Sequence, residues 1–350
     1  MTSPRVLVLH NQPVLPPHHP DAASEHEILY TAEMVEKALT TAGYTVGTLG
    51  VSHDPAALLN GLQRFQPDVV FNLFEGTGDD GNNEGYAAGL LQWLRIPFTG
   101  CPAQTLGLAR NKALTKHLLR SAGLPTAEFM VVDDNTVPRC ALDWPVIVKP
   151  AMQDASVGLD QGSVVQSQAQ LEKRVAWLLE RYGPPVLVEE FIRGREFNVA
   201  VVELPELTVL PVSEIKFVDE RPGSWPIVTY DAKWRPESED YIATPPQYPA
   251  KMPSRLARRL GDIAKEAFRL TGCRDYARID FRVRLPGRPY ILEVNPNPDF
   301  SPDAGLSGAL QTGGVPHAEF TVQLVKNALR RGEQMSFCPP AGEVSGALLV

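Results

Sequence analysis

Two carboxylates and one amide near the C-terminal end have the spacing of a hard-cation site. Asp280 lies in the run RIDF, and Glu293 and Asn295 lie in the run ILEVN. The residues between the two runs, LPGRP at 285–289, have the composition of a turn, so a β-hairpin is predicted. Because side chains alternate along a strand, a two-residue loop would place Glu293 opposite Asp280, and a four-residue loop would place Asn295 there. In both registers the three side chains share one face, whereas a three-residue loop would separate them.

Carboxylates that face each other repel, and a cation between them removes that penalty. Mg²⁺ typically takes one or two carboxylates together with phosphate oxygens. Arg282 and Arg284 lie on the same side of the strand as Asp280. A solvated strand face with unrelated acids is therefore the alternative interpretation, and the spacing alone leaves both open.

A second group of residues suits phosphate and nucleotide binding. Lys149 ends an apolar run and precedes the loop AMQDASVG at 151–158, and a lysine, a hydroxyl and a flexible loop together suit phosphate oxygens. The alternative is a lysine at a strand edge. The run 186–192 is apolar, then acidic, then apolar, so an adenine could bind its backbone while Glu196 holds ribose hydroxyls. An ordinary strand-to-loop transition with exposed acids is the alternative.

Alternating strands and helices would position these groups. Short apolar runs at 5–9, 46–51 and 69–73 alternate with helical patterns at 25–42 and 55–65, which predicts a small parallel sheet covered by helices. Further helices are predicted at 111–122, 168–181 and 254–270, and further strands at 146–148, 186–188 and 196–203. The segment 222–253, rich in proline and aromatic residues, is predicted to be a long ordered loop over a site.

Composition limits the classes of protein that fit. The chain has 350 residues, 43% of them hydrophobic and 21% charged, as expected of an ordinary globular protein. Its net charge of −8 argues against binding to nucleic acid or an anionic membrane surface. The cysteines are far apart, which favours reduced thiols over a zinc site. No signal peptide or membrane-spanning run is predicted, so the expected location is cytoplasmic.

The order and spacing of these pieces resemble the ATP-grasp superfamily and, within it, the D-alanine–D-alanine ligase family. The stretches that carry the resemblance are EGTGDDG at 75–81, NKALTKHLLRSAGLPT at 111–126, PVIVKPAMQDASVG at 145–158, LVEEFIRGREFNVAV at 187–201, TYDAKW at 229–234 and ARIDF with ILEVNPNP at 277–298. The resemblance implies an α/β (α+β) ATP-grasp fold: a small parallel-sheet domain at 1–100, a central subdomain at 101–190 and a C-terminal subdomain with the metal site at 191–335. The two subdomains would clamp ATP, and 336–350 would form a peripheral tail.

The resemblance also assigns residues to ATP. The nucleotide would be bound by Lys112 and Lys149 at the phosphates, Ser156 in the loop over them, Glu189, Glu190, Phe191 and Ile192 around the adenine, and Glu196 at the ribose. Two Mg²⁺ ions, which Mn²⁺ could replace, would be held by Asp280, Glu293 and Asn295.

The implied chemistry joins a carboxylate to an amine through an acyl phosphate. Lys233 would approach the γ-phosphate, Arg278 would stabilise the oxyanion, and Glu25 would meet the ammonium group of the first substrate. The substrates would be an amino acid or a short peptide, and a homodimer is expected from the family. The segment 222–253 would close over the site, because water would destroy the acyl phosphate.

The chain departs from the family pattern in its amino-acid pocket. Ala155 and Trp234 stand where the ligases have a serine and a tyrosine, so the usual Glu–Ser–Tyr hydrogen-bond set cannot form. Asp303-Ala304-Gly305 replaces the serine–leucine pair that receives the second substrate's carboxylate. The favoured hypothesis is therefore a ligase of this family with altered substrates. The alternatives are a divergent D-alanine–D-alanine ligase and a nucleotide-binding protein without ligase activity.

Overall fold

The N-terminal part of the chain is a three-stranded parallel sheet flanked by helices. The computed structural model describes residues 3–14, 22–77, 81–218 and 223–336, with side chains from 26 in the first helix to 334 in the last. The first elements are β1 (Arg5–Asn11), α1 (Ala22–Thr41), β2 (Thr45–Val51), α2 (Pro55–Phe65), β3 (Val69–Leu73) and α3 (Asn83–Trp93). The strand order is β2-β1-β3. The carboxyl ends of these strands therefore open toward one edge, where ligands of parallel sheets gather.

A four-stranded antiparallel sheet follows. Its elements are α4 (Ala103–Arg110), α5 (Lys112–Ser121), β4 (Phe129–Val132), β5 (Val146–Pro150), β6 (Val164–Val165), α6 (Gln168–Tyr182) and β7 (Val186–Glu190). The order is β4-β7-β5-β6. Leu171, Val175 and Leu178 of α6 are fully buried, because apolar residues at helical spacing pack against one face of the sheet.

The third sheet is antiparallel and has six strands. The remaining elements are β8 (Arg195–Leu204), β9 (Glu206–Val209), β10 (Ser213–Ile215), α7 (Tyr230–Trp234), α8 (Glu239–Ile242), β11 (Pro246–Gln247), α9 (Ser254–Leu270), β12 (Tyr276–Arg284), β13 (Arg288–Asn295), α10 (Gly305–Thr312) and α11 (His317–Ser336). The order is β11-β10-β8-β12-β13, with β9 beside β8. The three sheets lie within the ranges 1–100, 101–190 and 191–335.

The last helix returns to the first sheet. Phe320 and Leu324 of α11 share a buried cluster with Val6 and Val35. Asp275, which is fully buried, accepts hydrogen bonds from Arg331 Nη1 at 2.7 Å and from the Gly100 amide at 2.8 Å. The N-terminal sheet and the six-stranded antiparallel sheet thus share one core, and the ion pair between Asp275 and Arg331 ties α11 to the segment before β12.

The structure corrects the prediction of a long ordered loop at 222–253. From residue 223 onward the segment holds α7, α8 and β11. Thr229 Oγ1 accepts from the Ala232 amide at 3.1 Å, and Ser238 Oγ accepts from the Tyr241 amide at 3.1 Å, so both helices begin at a side-chain cap. Helices of five and four residues show no 3.6-residue period in the sequence, which is why the pattern missed them.

Two further sequence predictions concern sulfur and the membrane. Cys101, Cys140 and Cys273 are free thiols, and Cys338 lies outside the described residues. Within the ranges that the structure covers, no helix combines the length and the apolar character needed to cross a membrane.

Candidate active site

The hairpin places the predicted metal-binding side chains together by a route that the sequence did not reveal. Arg284 pairs with Arg288, so the loop has three residues, which corrects the expected two- or four-residue loop. Phe281 pairs with Ile291, yet Asp280 pairs with Glu293, because a bulge at Leu292 shifts the register by one residue. The bulge restores the alternation that a three-residue loop would otherwise break. Asp280 consequently lies opposite Glu293, and Arg278 lies opposite Asn295.

Asp280 lies in a buried, bonded environment. It is 6% exposed and Arg282 is 3% exposed, so the alternative of a solvated strand face is wrong for these two residues. The guanidinium of Arg278 donates from Nε and Nη2 to the two carboxylate oxygens of Asp280, both at 2.8 Å. Asn198 Nδ2 donates to Asp280 Oδ1 at 2.7 Å from the neighbouring strand β8. Such paired donors fix the carboxylate in one orientation.

Glu293 is the other carboxylate of the hairpin. Burial alone would raise the pKa of its carboxyl, but the positive charges of Lys112, Lys149, Arg278 and Lys233 lower that pKa to about 2. Lys112 Nζ lies 3.6 Å from Glu293 Oε2. Glu293 is therefore an ionised oxygen donor that faces the cations expected to bind phosphate.

The donor set fits Mg²⁺ when phosphate oxygens complete the coordination. Among the described residues, no cluster of three His, Cys, Asp or Glu side chains is arranged to hold a metal ion. Asp280 and Glu293 offer two carboxylates, and the third member, Asn295, is an amide whose Oδ1 also accepts from the Asn297 amide at 3.2 Å. Two carboxylates plus substrate oxygens and water is a typical set for Mg²⁺.

A buried chain of charges lies beside the metal-binding candidates. Lys149 Nζ lies 2.6 Å from Glu189 Oε2, and Lys116 Nζ lies 2.5 Å from Glu189 Oε1. Burial alone would raise the pKa of Glu189, but Lys116 and Lys149 lower it. Burial lowers the pKa of Lys116. Glu189 is 2% exposed, so the alternative of an exposed acid is wrong here.

The loop after β5 approaches the same lysines. Lys112 Nζ donates to the Gln153 carbonyl at 2.7 Å and to the Asp154 carboxylate. Burial would lower the pKa of Lys112, but Asp154 and Glu293 outweigh it and the pKa is raised. Ala155 and Ser156 have φ of 55° and 62°, a left-handed conformation that side chains other than glycine rarely adopt. The loop is therefore held in a particular strained shape by its contacts.

The residues expected around the nucleotide base line the same cavity, which has a volume of about 1540 Å³. Phe191 and Ile192 are 6% and 3% exposed. The amides of Glu190 and Phe191 donate to the carbonyls of Glu128 and Pro145, both at 3.0 Å, so a base would have to use other atoms. Glu196 lies 2.8 Å from Arg282 Nη2, and burial raises the pKa of Glu196 despite that partner.

Of the two remaining residues expected at the site, the structure describes the side chain of Lys233 but not that of Glu25. Lys233 of α7 lines the cavity, and burial together with nearby Arg278 lowers its pKa. The side chain of Glu25 lies outside the described residues. Glu27, two residues further along α1, lines the cavity, and burial together with Asp299 raises its pKa.

Carboxylates crowd the end of the cavity near Lys233. The members of this acidic rim all line the cavity: Glu27, Glu75, Glu84, Asp299 and Asp303. Glu75 is accessible from within the cavity, yet the surrounding protein displaces water and, with Asp299, raises its pKa to about 7. Burial raises the pKa of Glu84 to about 8, although Asn297 Nδ2 donates to it at 2.8 Å. The rim thus gathers five carboxyl groups at one end of the cavity, where burial and mutual repulsion favour the protonated forms of Glu27, Glu75 and Glu84.

Several residues of the site were not predicted. Lys116 is one turn after Lys112 on the same helix, a spacing that was visible in the sequence. Asn198 follows Glu196 by two residues, so strand alternation could have placed it on the same face. Arg282 was placed on the same side as Asp280, but it was not assigned to the site. The acidic rim comes from four separate segments, and no local pattern joins them.

Comparisons with known proteins agree with this architecture. A family model described as the D-ala D-ala ligase C-terminus matches residues 118–326. A D-alanine–D-alanine ligase of Pelotomaculum thermopropionicum is 30% identical over 88% of this chain and 94% of its own length. A D-alanine–D-alanine ligase A of Mesorhizobium japonicum is 34% identical over 78% of this chain and 74% of its own length. An uncharacterised protein of Sinorhizobium fredii, y4sG, is 34% identical over 78% of this chain and 81% of that protein.

Solved structures show the same fold. The D-alanine–D-alanine ligase of Bacillus anthracis superimposes with a TM-score of 0.76 at 20% identity, covering 95% of this chain and 100% of that one. Its complex with ATP gives a TM-score of 0.73 at 17% identity over the same shares of the two chains. Fold and relatives together define an ATP-dependent ligase with the ATP-grasp fold. Within that class, the chain belongs to the D-alanine–D-alanine ligase family.

Proposed function

We propose that this ligase joins a carboxylate to an amine through an acyl phosphate, and that its amino-acid pocket is altered relative to the family. One observation carries the proposal: the ionised Glu293 lies close enough to Lys112, Lys149, Arg278 and Lys233 for each of them to stabilise its charge. Four cations around one carboxylate, in one cavity, form a site for a polyphosphate and a metal ion together.

The roles follow from the chemistry of phosphoryl transfer. Lys112 and Lys149 would neutralise phosphate oxygens, while Asp154 and Glu189 hold these lysines in place. Asp280, Glu293 and Asn295 would hold Mg²⁺, which when bound neutralises charge on the phosphates.

Arg278 would stabilise the oxyanion that forms when the amine attacks. A guanidinium has five N–H donors, and two of those in Arg278 bind Asp280. The remaining donors are held in a fixed direction by that bidentate pair, which costs no reorganisation during the reaction. Lys233 would meet the γ-phosphate from α7, and its pKa is lowered by burial and then by the nearby positive charge of Arg278.

The acidic rim supports altered substrates. A substrate carboxylate near Asp299 and Asp303 would meet like charge, whereas a cationic group would relieve the repulsion among the rim carboxylates. We therefore propose an amine substrate with a second positive charge, such as a diamino acid or a basic dipeptide. The alternative is a genuine D-alanine–D-alanine ligase, which is favoured by the relatives from Pelotomaculum thermopropionicum and Mesorhizobium japonicum that bear this name.

Phosphate release from ATP and Mg²⁺, measured across amino acids and dipeptides, tests the proposal. A pair that contains a cationic amine is expected to exceed D-alanine alone by about tenfold or more. Robust turnover with D-alanine alone would favour the alternative. Tight ATP binding without turnover by any pair would favour a nucleotide-binding protein that lacks ligase activity.

Homodimer formation is a further proposal. Tyr86 and Trp93 lie on the same face of α3, about two turns apart, and they are 70% and 84% exposed. A second copy could cover this apolar surface. Light scattering after gel filtration is expected to give twice the mass of 38.4 kDa, and a Trp93→Glu variant is expected to give a monomer. A monomeric wild-type chain would contradict the proposal.

A further inference from the structure

Two segments that would enclose the phosphates are tied to each other by hydrogen bonds. One is the phosphate loop, defined as residues 155–159, and the other is the strap, defined as residues 223–234. Ser156 Oγ donates to the Val228 carbonyl at 3.0 Å, and the Tyr230 amide donates to the Leu159 carbonyl at 2.9 Å. Trp234 Nε1 donates to the Ala155 carbonyl at 3.0 Å. The strap therefore lies over the loop along most of the loop's length.

The third of these bonds joins two of the positions at which the chain departs from its family. Ala155 has no side-chain hydroxyl, and Trp234 has a ring N–H that can only donate. Two side chains with this chemistry cannot hydrogen-bond each other. The indole instead donates to the Ala155 backbone carbonyl, so a bond from a side chain to the backbone connects the same two positions.

Trp234 also contacts a catalytic candidate. Lys233 Nζ lies 5.3 Å from the centroid of the Trp234 ring, within the range of a cation–π contact. The two residues end α7, whose first turn is capped by Thr229. Any movement of Trp234 away from the loop would therefore displace Lys233 within the cavity.

We propose that Trp234 is a positioning residue whose indole N–H latches the strap to the phosphate loop and so protects the acyl phosphate from water. The inference rests on the proposed function. Water that reaches the acyl carbon forms a new C–O bond there while the bond from carbon to the phosphate oxygen breaks. The products are the original carboxylate and inorganic phosphate, so the net reaction is hydrolysis of ATP without amide formation. A latch that fails would raise the phosphate released per amide formed.

The test compares two tryptophans of the same strap. Trp234→Phe keeps an aromatic ring and removes the N–H. Trp225→Phe is the matched control, because the Trp225 indole packs on Phe191 and lies under Arg193, and these contacts need no N–H. Thermal melting first establishes that both variants are folded.

Hydrogen exchange reports on the latch without any substrate. In Trp234→Phe, the peptide that covers 151–163 is expected to exchange at least about threefold faster than in wild type, and in Trp225→Phe it is expected to match wild type. If Trp234→Phe melts below the assay temperature, Trp234→Tyr is measured instead. That variant retains a donor and is expected to exchange within about twofold of wild type. Exchange at the wild-type rate in Trp234→Phe, or exchange above that twofold limit in Trp234→Tyr, would overturn the latch.

The ratio of phosphate released to amide formed reports whether the latch protects the acyl phosphate. With the best substrate pair, wild type and Trp225→Phe are expected to release about one phosphate per amide, and Trp234→Phe at least about three. An unchanged ratio in Trp234→Phe would overturn the protective role. If wild type itself forms no amide with any pair, the proposed function fails, and the exchange experiment still decides whether the latch exists.

Discussion

The buried charges around Glu189 make a sharp prediction for Lys116, a residue that touches no proposed substrate. Lys116 is 1% exposed and Glu189 is 2% exposed, and each oxygen of Glu189 lies against one lysine. Lys116→Met keeps most of the stem volume and removes the ammonium group. One carboxylate oxygen of Glu189 is then buried without its cation, and the desolvation penalty is no longer offset.

The magnitude follows from this geometry. Breaking a buried ion pair by removing one partner costs about 3–5 kcal/mol. Because Lys149 still neutralises Glu189 in the variant, we expect a loss at or below the lower end of that range, about 2–3 kcal/mol of unfolding free energy. The pull of Glu189 on Lys149 should also strengthen, so the KM for ATP is expected to rise about threefold or more.

Urea unfolding followed by circular dichroism measures the first effect. Lys173→Met is the matched control, because Lys173 is exposed on α6 and its loss should change the unfolding free energy by less than about 0.5 kcal/mol. A Lys116→Met variant as stable as the control would refute the reasoning.

Three further predictions follow from the same structure. Glu293→Gln is expected to lower turnover at least about 100-fold with the melting temperature within about 3 °C of wild type, and near-normal activity would remove the metal assignment. Because the pKa of Glu84 is raised from 4.5 to about 8, the folded chain retains a proton that the unfolded chain releases, so this group lowers stability progressively as pH rises through that window. Glu84→Gln should therefore stabilise the protein at pH 8.5 by on the order of 1–2 kcal/mol, after allowance for water in the cavity, and have little effect at pH 4.5; equal effects at both values in urea unfolding would contradict this. Asp275→Asn should cost about 3 kcal/mol of unfolding free energy by weakening its pair with Arg331. An unchanged urea midpoint would contradict the role of that pair in tying α11 to the six-stranded sheet.

Much of the fold could be predicted because its signals are local. The bounds predicted for α2, β3 and α9 coincide with those of the structure. At α2, Asp54 accepts a hydrogen bond from the Ala56 amide at 2.9 Å and Pro55 occupies the first turn, so the cap and the apolar period mark the same start. The short helices α7 and α8 lack such periods, and α7 is bonded to the phosphate loop through Tyr230 and Trp234.

The hairpin shows where local patterns are insufficient. The shared face of Asp280 and Glu293 was predicted for loops of two or four residues, and the loop has three. The bulge at Leu292 makes up the difference, and bulges depend on packing between strands and not on turn composition. The right face was therefore predicted from an incorrect loop length.

The site could be predicted where functional residues lie in local sequence motifs, but not where the site depends on tertiary contacts. Lys112 and Lys149 could be picked out from their motifs, but their partners Asp154 and Glu189 could not be paired from the sequence. The acidic rim gathers Glu75 and Asp299 from opposite ends of the chain. Only the folded structure shows that these carboxylates influence one another, and this influence is what points to a cationic substrate.

The transfer of oxygen from the substrate carboxylate to phosphate tests the central claim most directly. The carboxylate substrate of the most active pair would be labelled with ¹⁸O and the inorganic phosphate analysed by mass spectrometry. Activation as an acyl phosphate requires that one carboxylate oxygen leave with the phosphate, so each phosphate formed together with amide is expected to contain one ¹⁸O atom. Amide formation accompanied by unlabelled phosphate would contradict the account.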